Sequence, residues 1–600
     1  MTYILGVSCY YHDSAAALLM DGELIAAAEE ERFSRRKHDF GFPHRAIDFC
    51  LEQARIEPQD LDFVVFYEKP LLKFERILQS TLQTYPQSYA VFRESMIAWF
   101  NEKLWIKSQI LTKLDLPEDK LLFVEHHLSH AASALFCSPY EEAAILTIDG
   151  VGEWTTATIG QGTAHWPERE LPRTNAIDLF GETRFPHSLG LLYSAFTAFL
   201  GFRVNNGEYK VMGMAPYGEP KRVDDVYKLI EVGEDGSFRL NMSYFTFHHS
   251  TQSSFNQNFV ELFGEPRVHD ADFYVPRMLP NPGKPHWDEA TARVNQRYAD
   301  IAASIQRVTE ETLLKMANYA HARTGSKNLC MAGGVALNSV ANGRIARETP
   351  FESIFIQPAA GDSGGALGAA LYVYHVMLGK PREFTLEHAY YGKGYRASEM
   401  QSAIDDSGYH YTTCEDIDQR AMLIVDDLLA GKVVSLYQGR FEWGPRALGN
   451  RSILADPRSG HMKDKVNDTI KYREPFRPFA PVVLEERAAD FYAGMDETAD
   501  LYPLRYMLMV YPTKEGQGEK IPAVTHEGGT GRLQSVRREW NPLYYRAIEL
   551  FGEATGIPVL LNTSYNLRGE PIVNTPENAL NTFRKSELDT LYMEQYVVRK

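Results

Sequence analysis

Two histidines four residues apart are the first feature of the sequence with the chemistry of a metal site. His126 and His130 lie in the stretch Val124-Glu-His-His-Leu-Ser-His-Ala-Ala-Ser-Ala-Leu135. On a helix, positions i and i+4 share one face, so both imidazoles can bind a single divalent ion. The stretch lacks the glutamate of the motif HExxH, which disfavours a zinc protease. The alternative is that both are ordinary helix residues.

Two aspartates after buried strands are candidates to complete this site. Asp149 follows the apolar run 143–148, and Asp362 lies in Gly361-Asp-Ser-Gly-Gly365. A carboxylate at the end of a strand projects where a sheet opens to solvent. A simple Asp-Gly turn and a helix N-cap are the respective alternatives. Two imidazoles and two carboxylates suit Fe²⁺, Mn²⁺ or Zn²⁺ about equally.

A third histidine is a candidate general base. His12 lies in a short loop between two predicted strands, and its neighbour Asp13 is suited to fix its tautomer. A hydrogen-bonded loop histidine is the alternative. Lys37 follows in a dense charge run, where a solvated surface lysine is the default interpretation.

The C-terminal part contains a second candidate site made of cations. These cations lie among Gly, Pro and aromatic residues rather than at helical spacing: Arg446, Arg451, Lys471, Arg473, Arg477 and Arg532. A solvated basic face normally shows helical spacing with acidic partners. The observed pattern instead favours a polyanion or nucleotide site. The sequence contains no phosphate loop of the form GxxxxGK[ST].

The elements that position these residues predict an α/β fold. A strand–loop–strand pattern recurs after about 140 residues, which suggests two related halves. Two later strands are each followed by a glycine turn and a helix, at 332–338 and 361–370. Such turns present backbone N–H groups to phosphate. We predict domains at 1–385 and 386–600, with an insertion at about 220–297 in the first.

Composition narrows the class of protein. The chain has 600 residues, which predicts several domains, and 62 basic against 79 acidic side chains give a net charge of −17. This charge argues against nucleic-acid or anionic-membrane binding. The five cysteines are scattered and form no CxxC pair, so we expect reduced thiols in a cytoplasmic protein. Neither a signal peptide nor a membrane-spanning run is expected.

Seven motifs are distributed along the chain: Tyr11-His-Asp-Ser-Ala-Ala16, Glu29-Glu-Glu-Arg-Phe33, His126-His-Leu-Ser-His130, Gly333-Gly-Val-Ala-Leu-Asn338, Gly361-Asp-Ser-Gly-Gly365, Gly444-Pro-Arg-Ala-Leu-Gly449 and Leu561-Asn-Thr-Ser564. Together they resemble one enzyme family, the O-carbamoyltransferases of antibiotic and nodulation-factor tailoring. The resemblance runs nearly end to end. It implies an actin/sugar-kinase-like, duplicated N-terminal domain and a YrdC-like α/β C-terminal domain.

The resemblance also implies a reaction in two steps. Carbamoyl phosphate and ATP, with Mg²⁺, give carbamoyladenylate and pyrophosphate in the C-terminal domain. The carbamoyl group then passes in the N-terminal domain to a hydroxyl of a small-molecule natural product. The expected partners therefore include neither nucleic acid nor membrane, and a homodimer is left open.

The resemblance assigns roles residue by residue. His126, His130, Asp149 and Asp362 resemble iron ligands. His12 resembles the base on the acceptor hydroxyl, and Lys37 a cation near the reacting carbonyl. The residues expected to hold ATP and carbamoyl phosphate are Arg446, Lys471, Arg477, Arg532, Asn562 and Ser564. Those expected to hold the adenylate in the N-terminal domain are Gly333, Gly334, Asn338 and Gly361.

One departure and two rival functions stay open. Where the family pattern leads us to expect Thr-His-x-Asp-Gly-Thr, this chain reads Thr525-His-Glu-Gly-Gly-Thr530, which leaves the role of that loop undecided. A sugar-kinase-like phosphotransferase explains the N-terminal domain but leaves the arginine-rich domain idle. A non-enzymatic actin-like nucleotide switch needs neither His12 nor the histidine pair. Aminoglycosides, macrocycles, cephems, alkaloids and oligosaccharides all fit as acceptors.

Overall fold

The chain folds into two compact units, which a computed structural model describes over residues 1–168, 174–281, 284–495 and 502–600. The first unit comprises Met1–His12, Ala17–Glu23 and Arg55–Thr385, and the second comprises Asp13–Ala16, Leu24–Ala54 and Leu386–Lys600. The units differ from the predicted domains because residues 13–16 and 24–54 cluster with the C-terminal part. The division into two domains at residue 385 stays a prediction.

Within these described ranges, none of the helices combines the length and the apolar character needed to cross a bilayer. The helices are α1 (Glu30–Ser34), α2 (His44–Ala54), α3 (Pro70–Gln83), α4 (Tyr89–Asn101), α5 (Ile106–Leu114), α6 (His126–Leu135), α7 (Leu189–Phe199), α8 (Glu208–Met214), α9 (Val223–Tyr227), α10 (Gln257–Phe263), α11 (Glu289–Thr324), α12 (Ser339–Glu348), α13 (Asp362–Tyr372), α14 (Ala397–Ser407), α15 (Ile417–Leu429), α16 (Gly460–Val466), α17 (Ala488–Phe491), α18 (Tyr502–Arg505), α19 (Pro542–Thr555) and α20 (Pro576–Lys585).

The strands of the N-terminal part form two five-stranded sheets and a small hairpin. They are β1 (Tyr3–Ser8), β2 (Ala15–Met20), β3 (Glu23–Glu29), β4 (Phe63–Phe66), β5 (Leu121–Phe123), β6 (Glu142–Ile148), β7 (Thr155–Thr163), β8 (Ala176–Arg184), β9 (Ile230–Val232), β10 (Phe238–Leu240), β11 (Asn328–Ala332) and β12 (Ser353–Ile356). The two larger sheets have orders β3-β2-β1-β4-β5 and β8-β7-β6-β11-β12.

These two sheets repeat one topology. Strands β1, β4 and β5 run parallel, and so do β6, β11 and β12, their counterparts in the second sheet. Each half then ends in a helix, α6 after β5 and α13 after β12. Parallel strands with crossover helices bury both faces of a sheet, which explains the nearly continuous apolar strands. The predicted α/β fold with a duplicated N-terminal part is confirmed, and its likeness to actin and sugar kinases stays a prediction.

The predicted insertion contains short elements followed by one long helix. Helix α9, the β9–β10 hairpin and α10 occupy the segment before 281, and α11 begins inside the predicted range. Helix α11 starts where the Asp288 side chain accepts the N–H of Thr291, and it ends at Gly325 in a left-handed conformation. Both caps satisfy terminal backbone groups, so α11 belongs to the framework rather than to an irregular loop.

The second unit is built around a mixed eight-stranded sheet of order β13-β22-β21-β14-β15-β20-β16-β19. Its strands are β13 (Tyr411–Thr413), β14 (Val434–Tyr437), β15 (Arg451–Ala455), β16 (Ala480–Leu484), β17 (Val510–Pro512), β18 (Thr530–Arg532), β19 (Gln534–Val536), β20 (Val559–Ser564), β21 (Thr590–Met593) and β22 (Tyr596–Arg599). Strands β17 and β18 form a separate pair. Helices α15 and α19 cover one face through buried side chains such as Ile424, Leu428 and Ile548. The C-terminal fold is therefore α/β, as predicted.

Candidate functional site

The two helices that end the repeated halves bring the predicted metal ligands together. His126 and His130 lie on α6, and Asp362 is the first residue of α13. Gly368 allows this approach, because a Cβ atom there would lie 1.8 Å from the Ser129 carbonyl oxygen. Asp362 Oδ1 lies 3.7 Å from His126 Nε2 and 4.0 Å from His130 Nε2.

Asp149 joins the same cluster from the end of β6. Its Oδ2 lies 3.1 Å from His126 Nε2 and 3.9 Å from His130 Nε2. Its Oδ1 accepts the backbone N–H of Gly334 at 2.9 Å, which fixes the carboxylate. All four side chains are buried, and their nearest ligand atoms lie within 4.8 Å of one another. We call these four residues the His/Asp cluster.

The donor set of this cluster fits a divalent metal ion. Imidazole nitrogens and carboxylate oxygens are ligands of Zn²⁺, Fe²⁺ and Mn²⁺. The Nε2 atoms of His126 and His130 are 3.1 Å apart and face each other, as two ligands of one ion do. Asp362 Oδ2 is buried and, in the described part of the chain, accepts no hydrogen bond. The role of the four residues as metal ligands stays a prediction, as does the choice of iron.

The charges of the cluster influence one another strongly. Burial disfavours the charged imidazole of His126, but the hydrogen bond to Asp149 and the charge of Asp362 raise its pKa to about 9. Burial and the charge of Asp149 raise the pKa of Asp362. Burial also opposes ionisation of Asp149, yet the hydrogen bond to His126 and the nearby imidazole of His130 hold its pKa well below the ordinary value.

Two glutamates that the sequence analysis missed support His126. Glu153 Oε1 accepts the backbone N–H of His126 at 3.1 Å and that of Lys69 at 2.7 Å. Glu68 Oε2 lies 3.9 Å from His126 Nδ1. Acidic groups behind a ligating histidine orient its ring and raise its basicity. No motif spacing indicates either residue, because they lie 58 and 27 positions from His126.

His127 lies beside this pair but serves a different purpose. Its Nδ1 lies 2.6 Å from Thr147 Oγ1, and its Nε2 lies 3.0 Å from the Thr155 carbonyl oxygen. Burial, together with the charges of His126 and His130, lowers its pKa well below the ordinary value. A neutral imidazole held between two strands has a structural role. The i, i+4 spacing therefore distinguished the converging pair, His126 and His130, from His127.

The predicted base and the predicted lysine belong to different units. His12 Nε2 lies 2.7 Å from the Asn205 carbonyl oxygen in the first unit, and its charge favours ionisation of Asp362. Asp13, expected to fix the tautomer of His12, contacts His38 Nδ1 at 3.0 Å in the second unit. Lys37 is exposed in the second unit and pairs with Glu31 at 2.8 Å. The catalytic roles of His12 and Lys37 stay predictions.

The glycine turns of the second half are partly committed to the fold. Gly333 has φ +96° and donates its N–H to the Ala360 carbonyl oxygen at 2.7 Å. Asn338 caps α12 by accepting the N–H of Ala341 at 3.2 Å, and its amide also bonds to Gln306. Gly361 precedes α13 with open space where a Cβ would be. Adenylate binding by Gly333, Gly334, Asn338 and Gly361 stays a prediction.

The predicted cations of the C-terminal part gather in the second unit. Burial lowers the pKa of Lys471 well below the ordinary value, and the charges of Arg473 and Arg477 lower it further. Burial likewise lowers the pKa of Arg532, and so do three guanidinium groups nearby: Arg446, Arg473 and Arg477. Groups whose charges act on the same two side chains in this way lie close together. We call these residues, with Lys463, the cation cluster.

Other polar groups fix the members of the cation cluster. Lys471 Nζ donates to the Ser564 carbonyl oxygen and to Asn566 Oδ1, each at 2.7 Å. Arg473 donates to Asn467 Oδ1 at 2.8 Å. Burial and the charge of Arg473 lower the pKa of Lys463, a residue on α16 that the sequence analysis missed. Lys463 lies in an ordinary polar stretch, so its spacing gave no signal.

The loop that departs from the family pattern also reaches this cluster. His526 Nε2 accepts the backbone N–H of Arg532 at 3.4 Å. Burial and the charge of Arg532 lower the pKa of His526 to about 3, so the imidazole is neutral at physiological pH. Glu527 is exposed, and its charge favours the protonated form of Lys463. This loop therefore adds a neutral histidine and one carboxylate beside several cations.

Three polar residues that the sequence pattern linked to this site make hydrogen bonds within the fold. Asn562 is buried in β20 and donates to the Ala447 carbonyl oxygen at 3.1 Å and to Gln534 Oε1 at 2.6 Å. Ser564 Oγ donates to Asn566 Oδ1 at 2.7 Å. Arg451, which we grouped with the cations, is fully buried over the Tyr437 ring. The grouping was wrong for Arg451, because its guanidinium donates to backbone carbonyls. Ligand binding by Asn562 and Ser564 stays a prediction.

The acidic motif near the N-terminus supports the Gly-Pro-Arg loop in the second unit. Arg32 is buried and donates to the Gly444 carbonyl oxygen at 2.7 Å. Glu29 Oε1 accepts the N–H of Gly444 at 2.8 Å. These two bonds hold the loop that carries Arg446, so the motif at 29–33 acts through positioning.

Comparisons with known proteins identify the family. Residues 3–371 match the model "Carbamoyltransferase N-terminus", and residues 425–600 match "Carbamoyltransferase C-terminus". The chain is 44% identical to the uncharacterized protein sll1178 of Synechocystis, over 100% of this chain and 97% of that one. It is 36% identical to the nodulation protein NolNO of Sinorhizobium fredii, over 98% and 79% of the two chains.

Several solved structures show a distant likeness to the chain. One match is T. kodakarensis HypF, with 15% identity, a TM-score of 0.29, and coverage of 63% of this chain and 49% of that chain. The family matches are decisive by comparison, since together they span most of the chain. The chain belongs to the carbamoyltransferase family, as the motifs predicted, and it is an enzyme of that class.

Proposed function

We propose that this member of the carbamoyltransferase family is an O-carbamoyltransferase that uses carbamoyl phosphate and ATP. The carrying observation is that the chain holds two clusters of different chemistry, one within each matched family region. The cation cluster suits polyanionic substrates, and the His/Asp cluster suits a metal-assisted acyl transfer. A sugar kinase or a nucleotide switch has no use for both clusters.

The first step belongs to the domain that we propose for residues 386–600. ATP and carbamoyl phosphate are polyanions, so fixed cations are needed to hold them. Arg446, Lys471, Arg477 and Arg532 supply these cations, and Mg²⁺ accompanies ATP. Water removes the phosphate of carbamoyl phosphate to leave carbamate. A carbamate oxygen then attacks the α-phosphorus of ATP and expels pyrophosphate, which yields carbamoyladenylate.

The second step belongs to the domain that we propose for residues 1–385. An alcohol oxygen attacks the carbamoyl carbon, and AMP leaves with the electron pair of the broken bond. His12 takes the proton of the alcohol, because a neutral alcohol is a weak nucleophile. Lys37 serves as a cation for the carbonyl oxygen. A divalent ion held by His126, His130, Asp149 and Asp362 would supply fixed positive charge at this site.

The acceptor class is a hydroxylated small molecule. The nodulation proteins NolNO and NolO are relatives, at 36% and 35% identity, and their names agree with the nodulation branch of the resemblance. An acceptor hydroxyl requires no nucleic acid or membrane in the proposed reaction. Adenylate formation and transfer are separate reactions, so each can be measured alone.

One assay tests this proposal against its rivals. The purified chain is incubated with ATP, carbamoyl phosphate and a panel of hydroxylated acceptors, and the nucleotide products are separated. We expect AMP, pyrophosphate and phosphate, with no AMP when carbamoyl phosphate is omitted. ADP would indicate a sugar-kinase-like phosphotransferase. Nucleotide binding without turnover would favour the switch, and either result would contradict our proposal.

A further inference from the structure

A buried arginine on α3 has no acidic partner in direct contact within the described ranges of the chain. Arg76 is 6% exposed. Among the residues that the structure describes, none forms a hydrogen bond or an ion pair with its guanidinium, and its Nη1 is buried. The Arg76 Cζ atom lies over the Phe185 ring, 5.1 Å from the ring centroid. A buried guanidinium is stable when an anion pairs with it, so this position suits a ligand anion.

The acidic groups nearest to Arg76 are committed to other partners. The charges of Glu68 and Glu153 favour the protonated form of Arg76, although burial is the larger effect and lowers its pKa. Glu68 Oε2 accepts a hydrogen bond from Lys73 Nζ at 2.5 Å. Glu153 accepts backbone N–H groups, as described above. Neither carboxylate therefore neutralises the guanidinium by direct contact.

Two lysines extend the positive charge around Arg76. Lys73 lies one turn earlier on α3, and its Nζ lies 3.9 Å from the centroid of the Tyr11 ring. Lys103 is partly exposed after α4, and burial and the charge of Lys73 lower its pKa, whereas Glu68 and Glu102 raise it. Lys73 has Glu68 as its counter-ion. In the described part of the chain, neither Arg76 nor Lys103 forms an ion pair of this kind.

Tyr11 connects these cations with the His/Asp cluster. Burial around its hydroxyl raises the pKa of Tyr11, and the charges of Lys73 and Arg76 lower it. The carboxylates of Asp362 and Asp149 raise the same pKa. The phenol thus lies within electrostatic range of both groups, directly before His12 in the chain. Tyr11 is 38% exposed, so the surface is open at this point.

We propose that Arg76, assisted by Lys73 and Lys103, binds an anionic group of the acceptor. The acceptor is then a hydroxylated acid that carries a carboxylate, a sulfate or a phosphate, which a planar guanidinium binds through paired hydrogen bonds. This inference rests on the proposed carbamoyl transfer, because it assigns the acceptor to the side of His12.

The position of the cations favours the acceptor over the adenylate. Arg76 and Lys73 lie on α3 of the first half, next to the loop that contains Tyr11 and His12. The glycine turns expected to hold the adenylate belong to the second half, at 333–338 and 361–365. AMP is the nucleotide part of the adenylate. The experiment must therefore distinguish binding of an acidic acceptor from binding of AMP.

Calorimetric titration of the full chain tests this subsite. The probes are D-glucuronate and inorganic sulfate, with D-glucose as the neutral match and AMP as the rival ligand. We expect both anions to bind, glucose not to bind, and Arg76→Gln to weaken the anions by about 10- to 100-fold. Arg293→Gln is the control, since Arg293 is exposed on α11 and pairs with Glu289. It should bind as the wild type does.

Three outcomes would overturn the subsite. They are no binding of either anion by the wild type, equal binding by Arg76→Gln, and loss of AMP binding alone in that variant. Lys103→Gln provides a second variant because Lys103 is partly exposed, and we expect a roughly threefold weaker affinity. If Arg76→Gln fails to fold, unchanged binding by Lys103→Gln overturns the proposal.

A second measurement separates this inference from the proposed function. ATP–pyrophosphate exchange with carbamoyl phosphate should be the same in the wild type and in Arg76→Gln, because the cation cluster carries that step. If the chain shows no such exchange but binds anions through Arg76, the proposed function is refuted and the anion subsite is still supported. Exchange without anion binding would refute the subsite alone.

Discussion

The His/Asp cluster of the first unit and the cation cluster of the second unit balance charge in opposite ways. The first combines imidazoles with carboxylates, so its members already compensate one another. The second gathers lysine and arginine side chains, and the charges of the arginines lower the pKa values of Lys471 and Arg532. A site of mixed charge suits one small ion, whereas a site of like charge suits a polyanion that arrives with the opposite charge.

The two clusters also differ in how the fold holds their side chains. The His/Asp residues lie on α6, directly after β6 and at the start of α13, and these buried elements fix them. Several cations lie instead in loops, held by neighbouring polar groups such as Asn467 and Asn566. A loop site of like charges is expected to gain stability when its ligand binds. Substitutions in the two clusters should therefore have different consequences.

The largest expected effect is the loss of transfer in His130→Ala. Removing one imidazole leaves three candidate ligands in the His/Asp cluster, so metal content should fall and carbamoyl transfer should drop by about 1000-fold or more. ATP–pyrophosphate exchange should persist, because we assign that step to the cation cluster. Metal analysis and both assays check this. His269→Ala, at an exposed position, is the control, and equal loss of both activities would break the contrast.

The next effect is expected in Arg532→Gln. One cation fewer should weaken ATP binding by about 10- to 100-fold, since charge-assisted hydrogen bonds to phosphate are lost. The free energy of unfolding without ligand should stay within about 1 kcal/mol of the wild type or rise, because repulsion with Arg446, Arg473 and Arg477 is relieved. ATP titration and urea unfolding measure these two quantities. A large destabilisation would show that the cations are structural.

A smaller effect is expected in the pH dependence of ATP binding. Burial and the nearby charges of Arg473 and Arg477 lower the pKa of Lys471 in the free chain. Bound phosphate favours the protonated amine, so binding takes up a proton once the pH exceeds that lowered pKa. Affinity should then fall as pH rises and be flat below the pKa. Titrations at several pH values check this, and the slope should vanish in Lys471→Gln.

The same shift has a consequence for stability. The folded-state pKa of Lys471 is lower than the value of about 10.4 for an unfolded lysine, so the unfolded chain binds more protons between the two values. The contribution of this lysine should therefore become more stabilising as pH rises through that window. A contribution that weakened with pH would contradict the lowered pKa.

The smallest effect is expected for the stability of Lys37→Gln. Lys37 is exposed, and its ion pair with Glu31 at 2.8 Å is solvated, so the free energy of unfolding should change by less than about 1 kcal/mol. Carbamoyl transfer should nevertheless fall about tenfold or more if the lysine acts on the carbonyl. Lys393→Gln, another lysine of an ion pair in the second unit, is the control. Unchanged transfer would make Lys37 an ordinary surface lysine.

Local spacing was enough to predict the residues that share one element. His126 and His130 are one turn apart on α6, and helical geometry fixes their common face whatever surrounds them. Strand ends likewise predicted Asp149 and Asp362, because side chains at those positions project from a sheet. The family motifs added the class of reaction, carbamoyl transfer, which the comparisons confirm.

Tertiary packing alone determines which residues that are distant in sequence contact each other. The approach of α6 and α13 through Gly368, the glutamates behind His126, and the isolation of Arg76 leave no periodic signal in the chain. The sequence also could not reveal that Arg451 lies in the core whereas Arg532 belongs to the cation cluster. A residue's type limits the chemistry that it can perform, but burial and the charges around it, which the tertiary fold sets, decide which chemistry it performs.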